Sequence, residues 1–121
     1  MEIKEKKILI VDDSAFMRKV LRDVFESAGY MNFIEASNGH EAIEKFKNEH
    51  PDFILLDLIM PEYNGMDVLR EIGTQAKIII VSAVGQQEMV AEAKLLGALD
   101  YVTKPFDREQ VLEKAERYLH D

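Results

Sequence analysis

The stretch that decides the fold is residues 53–65, which read FILLDLIMPEYNG. An apolar run leads directly into an acid, Asp57, and turn-forming residues follow at Pro61 and Asn64-Gly65. Removing an acid from water at the end of such an apolar run is costly unless a partner compensates its charge. The pattern therefore predicts a buried strand that ends at a polar site.

Apolar runs alternate along the whole chain with segments whose apolar residues recur at helical spacing. Runs typical of strands occupy residues 7–13, 33–36, 53–57, 77–82 and 100–104. A helical pattern follows each run, and the last one continues almost to Asp121. Such an alternation is typical of βαβ units with right-handed crossovers. It predicts an α/β fold in which a five-stranded parallel sheet carries five helices on both faces.

Composition narrows the class of protein. The 121 residues suit one domain spanning residues 1–121. There is no cysteine, which excludes disulfides and thiolate chemistry, and the net charge of −8 argues against nucleic-acid or anionic-membrane partners. No apolar run reaches the ~18 residues of a membrane span, and no secretory signal follows the charged N-terminus. We expect a cytoplasmic monomer.

Polar side chains stand at the ends of four predicted strands. Asp12 and Asp13 end the first strand, Asp57 the third, Ser82 the fourth and Lys104 the fifth. The carboxyl ends of parallel strands share one edge of a sheet, where open α/β folds bind ligands. The sequence therefore predicts a crevice that gathers three carboxylates, one hydroxyl and one ammonium.

Each of these residues also has a local explanation. Asp13 or Ser14 would suit the N-cap of the first helix. Asp57 would suit the cap of the turn before Pro61, and Lys104 would suit the surface. Their convergence on one edge favours a shared site over separate local roles.

The charges of the predicted crevice indicate its chemistry. Three carboxylates at close range repel one another, and a hard divalent cation such as Mg²⁺ relieves the repulsion. The cation and Lys104 together would attract a phosphoryl group. Asp57, at the centre of the sheet, would then be the nucleophile, as in proteins that form aspartyl phosphates.

The motifs at the strand ends resemble the receiver domain of two-component response regulators. They are DD after the first strand, LLDLIMPEYNG, SA after the fourth strand and KPF after the fifth. The resemblance covers essentially the whole chain and is nearest to the stand-alone chemotaxis regulators. It implies a flavodoxin-like fold with strand order 2-1-3-4-5.

The resemblance also implies roles for the residues of the crevice. Asp57 would accept a phosphoryl group from a phosphohistidine of a sensor histidine kinase. Asp12 and Asp13 would hold Mg²⁺ together with Asp57 and the backbone carbonyl of Ile59. Lys104 would pair with the phosphoryl oxygens.

A switch mechanism is implied as well. Ser82 would move to hydrogen-bond a phosphoryl oxygen, and Tyr101 would turn inward with it. The affected face is made by the fourth helix, fifth strand and fifth helix, where Val90 suits either the core or a partner surface. The Lys104-Pro105 bond is implied to be cis.

Two positions that flank the hydrolytic water in receivers are apolar in this chain. They are Ile59 and Val84, two residues after Asp57 and Ser82 respectively. Neither side chain orients water, so we expect slow autodephosphorylation.

The implied function is a phosphorylation-activated signalling switch rather than an enzyme acting on other substrates. The expected partners are a sensor histidine kinase, a downstream target such as a flagellar motor switch protein, and a phosphatase. Alternatives are a stand-alone phosphorelay intermediate and a receiver excised from a larger regulator. A magnesium-dependent phosphatase of the haloacid-dehalogenase type is more remote, because its D-x-D pattern after the first strand is absent.

Overall fold

Strands and helices alternate as the apolar runs predict. The computed structural model describes residues 3–119, so the predicted end of the last helix near Asp121 lies outside the described part. A short 3₁₀ turn, Ile3–Glu5, precedes the first strand. The elements are β1 (Ile8–Val11), α1 (Ala15–Ser27), β2 (Phe33–Ala36), α2 (Gly39–Glu49), β3 (Phe53–Leu56), α3 (Gly65–Ile72), β4 (Ile78–Ser82), α4 (Gln87–Leu95), β5 (Asp100–Thr103) and α5 (Arg108–Leu119).

The strands form one parallel sheet in the order β2-β1-β3-β4-β5, as the resemblance implied. β3 lies at the centre, between β1 and β4. Every residue of β1, β3 and β4 is buried, because helices cover both faces of the sheet. β2 is an edge strand whose residues are mostly half-buried, which explains its weaker apolar run.

Two apolar layers hold the helices against the sheet. On one face α2, α3 and α4 contribute residues such as Ala42, Leu69 and Ala93. On the other face α1 and α5 contribute residues such as Phe25 and Val111. Successive strand residues point to opposite layers. Each fully buried aliphatic or aromatic side chain contributes about 1.5–3 kcal/mol of transfer free energy, so the two layers hold the sheet edge rigidly.

Side-chain caps fix where the helices begin. The Ser14 side chain accepts a hydrogen bond from the amide of Met17, so the N-cap interpretation is confirmed for Ser14. Asn38 caps α2, and Asn64 forms a capping box with Asp67 at the start of α3. The Ser14 and Asn64 caps fix where the chain enters α1 and α3, after the acids that follow β1 and β3.

The strands are shorter than the apolar runs. β1 ends at Val11, β3 at Leu56 and β5 at Thr103. The polar residues Asp12, Asp57 and Lys104 therefore lie one position beyond their strands. No helix within residues 3–119 has the length and apolar character needed to span a bilayer.

Candidate functional site

Three carboxylates meet at the carboxyl edge of the sheet. One carboxylate oxygen from each of Asp12, Asp13 and Asp57 lies within 4.8 Å of the others. Asp12 and Asp57 are buried, with 1% and 5% of their surface exposed, whereas Asp13 is exposed. The cluster is therefore anchored in the protein interior and opens to solvent on the side of Asp13.

Lys104 supplies the positive charge nearest to two of these acids. Its Nζ lies 2.7 Å from Asp12 Oδ2 and 3.1 Å from Asp57 Oδ2. Burial alone would lower the pKa of Lys104, but the hydrogen bonds and charges of the two carboxylates outweigh burial and raise that pKa. The Lys104-Pro105 peptide bond that follows is cis. Lys104 is thus a paired ammonium rather than a freely solvated surface lysine.

Backbone contacts hold Asp57 at the centre of the edge. Its amide donates to the Val11 carbonyl at 3.0 Å, which extends the pairing between β3 and β1 by one residue. Its Oδ1 accepts from the Ile59 amide at 3.0 Å, so Asp57 also stabilises its own turn. A Cβ at Gly65 would lie 2.4 Å from the Asp57 carbonyl, so this loop packs too closely for a larger residue.

Ser82 and Tyr101 meet at the backbone of Val84. The buried Ser82 hydroxyl accepts from the Val84 amide at 3.4 Å. The Tyr101 hydroxyl donates to the Val84 carbonyl, and the ring is buried with 7% of its surface exposed. Burial raises the pKa of Tyr101 and the charge of Asp57 adds to this, while a hydrogen bond with Ser82 opposes it. Both residues implied in switching therefore hold the same loop.

The remaining predicted positions lie around this centre. Ile59 is exposed on the β3–α3 loop, with 55% of its surface accessible, and Val84 is half-buried. Val90 is half-buried and packs against the core layer that α4 covers, which supports the core interpretation, while the partner surface stays a prediction.

Sequence reasoning missed Arg18, which contacts the site, and its partner Glu35. The Arg18 Nη1 donates to the Asp12 carbonyl at 2.6 Å, and its Nε donates to Glu35 Oε1 at 2.8 Å. The signal in the sequence is weak, because the arginine four residues after the Ser14 cap stands among other basic residues of α1. The partner on β2 depends on how α1 crosses the sheet, which the sequence pattern does not specify.

The donor set fits a hard divalent cation. Three carboxylates and one ammonium leave a net negative charge at the cluster. Carboxylate oxygens at this spacing suit Mg²⁺, which takes one or two carboxylates and completes its octahedron with water and phosphate oxygens. The open side at Asp13 gives such ligands access.

Comparisons with known proteins agree with this geometry. The family model of the response regulator receiver domain matches residues 8–116. The chemotaxis protein CheY of Thermotoga maritima is 50% identical over 111 residues, covering 89% of this chain and 92% of that protein. CheY of Bacillus subtilis is 44% identical over 117 residues, covering 94% of this chain and 98% of that protein.

The fold is similar to that of a receiver in a solved crystal structure. A chain of the CheX–CheY–BeF₃–Mg²⁺ complex from Borrelia burgdorferi superposes with a TM-score of 0.88 at 35% identity, covering 93% of this chain and 87% of that chain. The strand order, the clustered acids and the family match agree. The chain belongs to the response regulator receiver domains, is closely related to CheY proteins, and functions in phosphorylation-activated two-component signalling.

Proposed function

We propose that Asp57 accepts a phosphoryl group from a sensor histidine kinase and that the chain thereby switches its affinity for a chemotaxis target. The observation that carries the proposal is the position of Asp57. Its carboxylate is buried at the centre of the sheet edge, 3.1 Å from the Lys104 ammonium and within 4.8 Å of two further acids. A buried carboxylate, two neighbouring acids and an ammonium in one crevice support this proposal.

The transfer step uses the Asp57 carboxylate as nucleophile. One of its oxygens attacks the phosphorus atom of a phosphohistidine. A P–O bond forms, the P–N bond breaks, and the electron pair stays on the histidine nitrogen. Lys104, which pairs with Asp57 Oδ2, then pairs with the oxygens of the transferred group. The chain catalyses only the formation and hydrolysis of its own acyl phosphate.

The cation site completes the charge balance. The residues proposed to hold Mg²⁺ supply three carboxylates and one backbone carbonyl: Asp12, Asp13, Asp57 and Ile59. When bound, Mg²⁺ neutralises the negative charge that develops on the transferring phosphoryl oxygens.

Two residues transmit the change to the surface. In the proposed switch the Ser82 hydroxyl leaves the Val84 amide and donates to a phosphoryl oxygen. The Tyr101 hydroxyl, which donates to the Val84 carbonyl, follows the same loop. Phosphorylation adds about −1.5 to −2 charges beside this loop, and in the proposed switch that charge favours the second arrangement of the loop. The readout face is formed by α4, β5 and α5.

The proposed partners follow from the relatives. A histidine kinase donates the phosphoryl group, a flagellar motor switch protein receives the signal, and a phosphatase ends it. The names of the CheY relatives support a chemotaxis output, and the complex of CheX with CheY shows that a related receiver binds a second protein.

One experiment separates the receiver from a haloacid-dehalogenase-type phosphatase. The protein is incubated with acetyl phosphate and Mg²⁺ while whole-protein mass and hydrolysis of a phosphate monoester are both followed. We expect one phosphoryl group per chain, no labelling when a chelator is present from the start, and no monoester turnover. Multiple turnovers of the monoester without stable labelling would contradict the proposal.

A second experiment separates motor output from a phosphorelay. Pull-downs are compared with and without beryllofluoride, a phosphoryl mimic. We expect beryllofluoride to increase capture of a flagellar switch protein. Transfer of the phosphoryl group from the labelled chain to a histidine of another protein would instead identify a phosphorelay intermediate.

A further inference from the structure

The Arg18 side chain, which lies outside the acidic cluster, hydrogen-bonds to the backbone of Asp12. Its guanidinium donates from Nη1 to the Asp12 carbonyl at 2.6 Å and from Nε to Glu35 Oε1 at 2.8 Å. The side chain is largely buried, with 16% of its surface exposed. Two donors of one rigid, planar group therefore join the end of β1 to the edge strand β2.

The Asp12 carbonyl is well placed to control both neighbouring acids. This carbonyl belongs to the planar peptide unit that joins Asp12 to Asp13. Holding its oxygen fixes the ψ angle of Asp12 and the plane from which Asp13 departs. The Arg18 hydrogen bond thus restricts the direction in which each of the two carboxylates leaves the backbone.

The other polar atoms of Asp12 are also engaged. Its amide donates to the Ala36 carbonyl at 3.1 Å, Oδ1 accepts from the Ser14 amide at 2.9 Å, and Oδ2 accepts from Lys104. The contact with Lys104 would give way to a cation or a phosphoryl group, whereas the Arg18 contact lies on the backbone and would remain. Arg18 therefore holds Asp12 in place in both states of the site.

Charge alone does not explain an arginine at this position. A guanidinium beside a cation site repels the cation, and a positive charge near the N-terminus of α1 opposes the helix dipole. Glu35 offsets this charge directly, and Arg22 Nη1 shares Glu35 at 3.5 Å. Glu35 neutralises the Arg18 charge, and the guanidinium donates to a backbone carbonyl. Arg18 therefore orients the backbone rather than supplying positive charge to the site.

We propose that Arg18 is a positioning residue for the divalent cation, anchored by Glu35, that fixes the Asp12–Asp13 peptide so that both carboxylates face the ion. This inference rests on the proposed cation site. Hydrogen bonds that orient metal ligands in this way are worth about ten- to a hundredfold in metal affinity.

The test is calorimetric titration of Mg²⁺ into the wild-type protein, Arg18→Met and Arg22→Met. Removing the Arg18 charge would by itself strengthen Mg²⁺ binding, whereas loss of positioning weakens it, so the two roles predict opposite signs. We expect affinity to fall about tenfold in Arg18→Met. Arg22→Met, which removes a Glu35 partner on the same helix without touching Asp12, should change affinity by less than about twofold. Unchanged or tighter binding by Arg18→Met overturns the proposal.

Two further measurements keep the outcome interpretable. Arg18→Lys retains the charge but not the two-point contact, so we expect weaker Mg²⁺ binding here too, and unchanged binding counts against the proposal. In metal-free protein the Ser14 amide, which donates to Asp12 Oδ1, should exchange its hydrogen faster in Arg18→Met than in Arg22→Met. Equal exchange overturns positioning, whereas failure of wild-type protein to bind Mg²⁺ counts against the proposed cation site.

Discussion

At the scale of single residues, Lys104 balances two buried carboxylates. Replacing it with Met leaves Asp12 and Asp57 facing each other without a cation, because both are buried. Removing one partner of a fully buried ion pair lowers the free energy of unfolding by several kcal/mol. Because Lys104 is partly exposed, we expect a smaller loss of about 2 kcal/mol. We expect the free energy of unfolding in urea with a chelator to fall by that amount.

The control for this prediction is an exposed ion pair. Lys19→Met removes the pair with Asp23, whose side chains are 73% and 41% exposed, and should change stability by less than about 0.5 kcal/mol. Adding Mg²⁺ should restore more stability to Lys104→Met than to the wild type. Equal destabilisation by the two substitutions would show that the ion pairs of Lys104 stabilise the fold no more than an exposed ion pair does.

We predict that the lifetime of the phosphoprotein depends on Ile59 and Val84. Both side chains are apolar, and Ile59 stands exposed beside Asp57, so neither orients a hydrolytic water. Replacing both with polar residues, Ile59→Asn and Val84→Gln, should shorten the lifetime about tenfold or more. The decay of the labelled protein after removal of acetyl phosphate measures this. A lifetime that does not shorten contradicts the idea.

Sequence reasoning located the acids of the site for a simple physical reason. Asp57 follows a run buried on both faces, and the carboxyl ends of parallel strands share an edge, so proximity to Asp12 follows from the fold class. The contact of Arg18 with the Asp12 carbonyl could not be predicted in this way. It depends on a side-chain rotamer and on the distance from α1 to Glu35, neither of which leaves a periodic signal.

At the scale of elements, α2 ends at a strained residue. His50, its C-cap, has φ 50° and ψ 59°, the left-handed region that glycine adopts more easily. Replacing His50 with Gly should therefore raise the free energy of unfolding by about 0.5–1 kcal/mol. The exposed helical residue Glu44 is the matched control, because Glu44→Gly should lower it by about 0.5–1 kcal/mol. Urea denaturation measures both, and a loss of stability in His50→Gly would contradict the prediction.

Element positions were predictable where the apolar pattern was strong. β2 spans the predicted residues Phe33–Ala36. β5 stops at Thr103, one residue before the predicted Lys104, which turns away to pair with the carboxylates. The predicted runs include the polar residues that follow the strands. The sequence therefore does not show at which residue a strand ends and the site begins.

At the scale of the whole molecule, alkaline pH should weaken the fold. Burial raises the pKa of Tyr30 above its usual value of 10.0, and a hydrogen bond to Glu116 together with its charge adds to this. The pKa of Lys104 is also raised. Above pH 10 the unfolded chain loses protons that the folded chain retains, so the free energy of unfolding falls as pH rises.

The Tyr30 contribution can be isolated by substitution. One such group contributes up to about 1.4 kcal/mol per pH unit above its unfolded pKa. Tyr30→Phe removes the titrating group, so its stability should fall less between about pH 9 and about pH 11 than that of the wild type. Urea denaturation at the two pH values measures the difference. An equal fall in both proteins would contradict the prediction.

The fold class could be predicted from the sequence pattern, but the order of the strands in the sheet could not. The alternation of strands and helices indicated a parallel sheet covered on both faces, and the structure confirms it. The order β2-β1-β3-β4-β5 followed only from the resemblance, because periodicity does not say which strands are neighbours. The expected central position of Asp57 is confirmed, because β3 pairs with β1 on one side and β4 on the other.

The central claim is that Asp57 is the phosphoryl acceptor, and the measurement that tests it most directly is the site of labelling. Protein labelled with acetyl phosphate and Mg²⁺ is reduced with borohydride, which converts an aspartyl phosphate to homoserine, and its peptides are analysed by mass spectrometry. The account predicts homoserine at position 57 and no labelling of Asp57→Asn, whose circular dichroism should match the wild type. Labelling at Asp12 or Asp13, or undiminished labelling of Asp57→Asn, would contradict it.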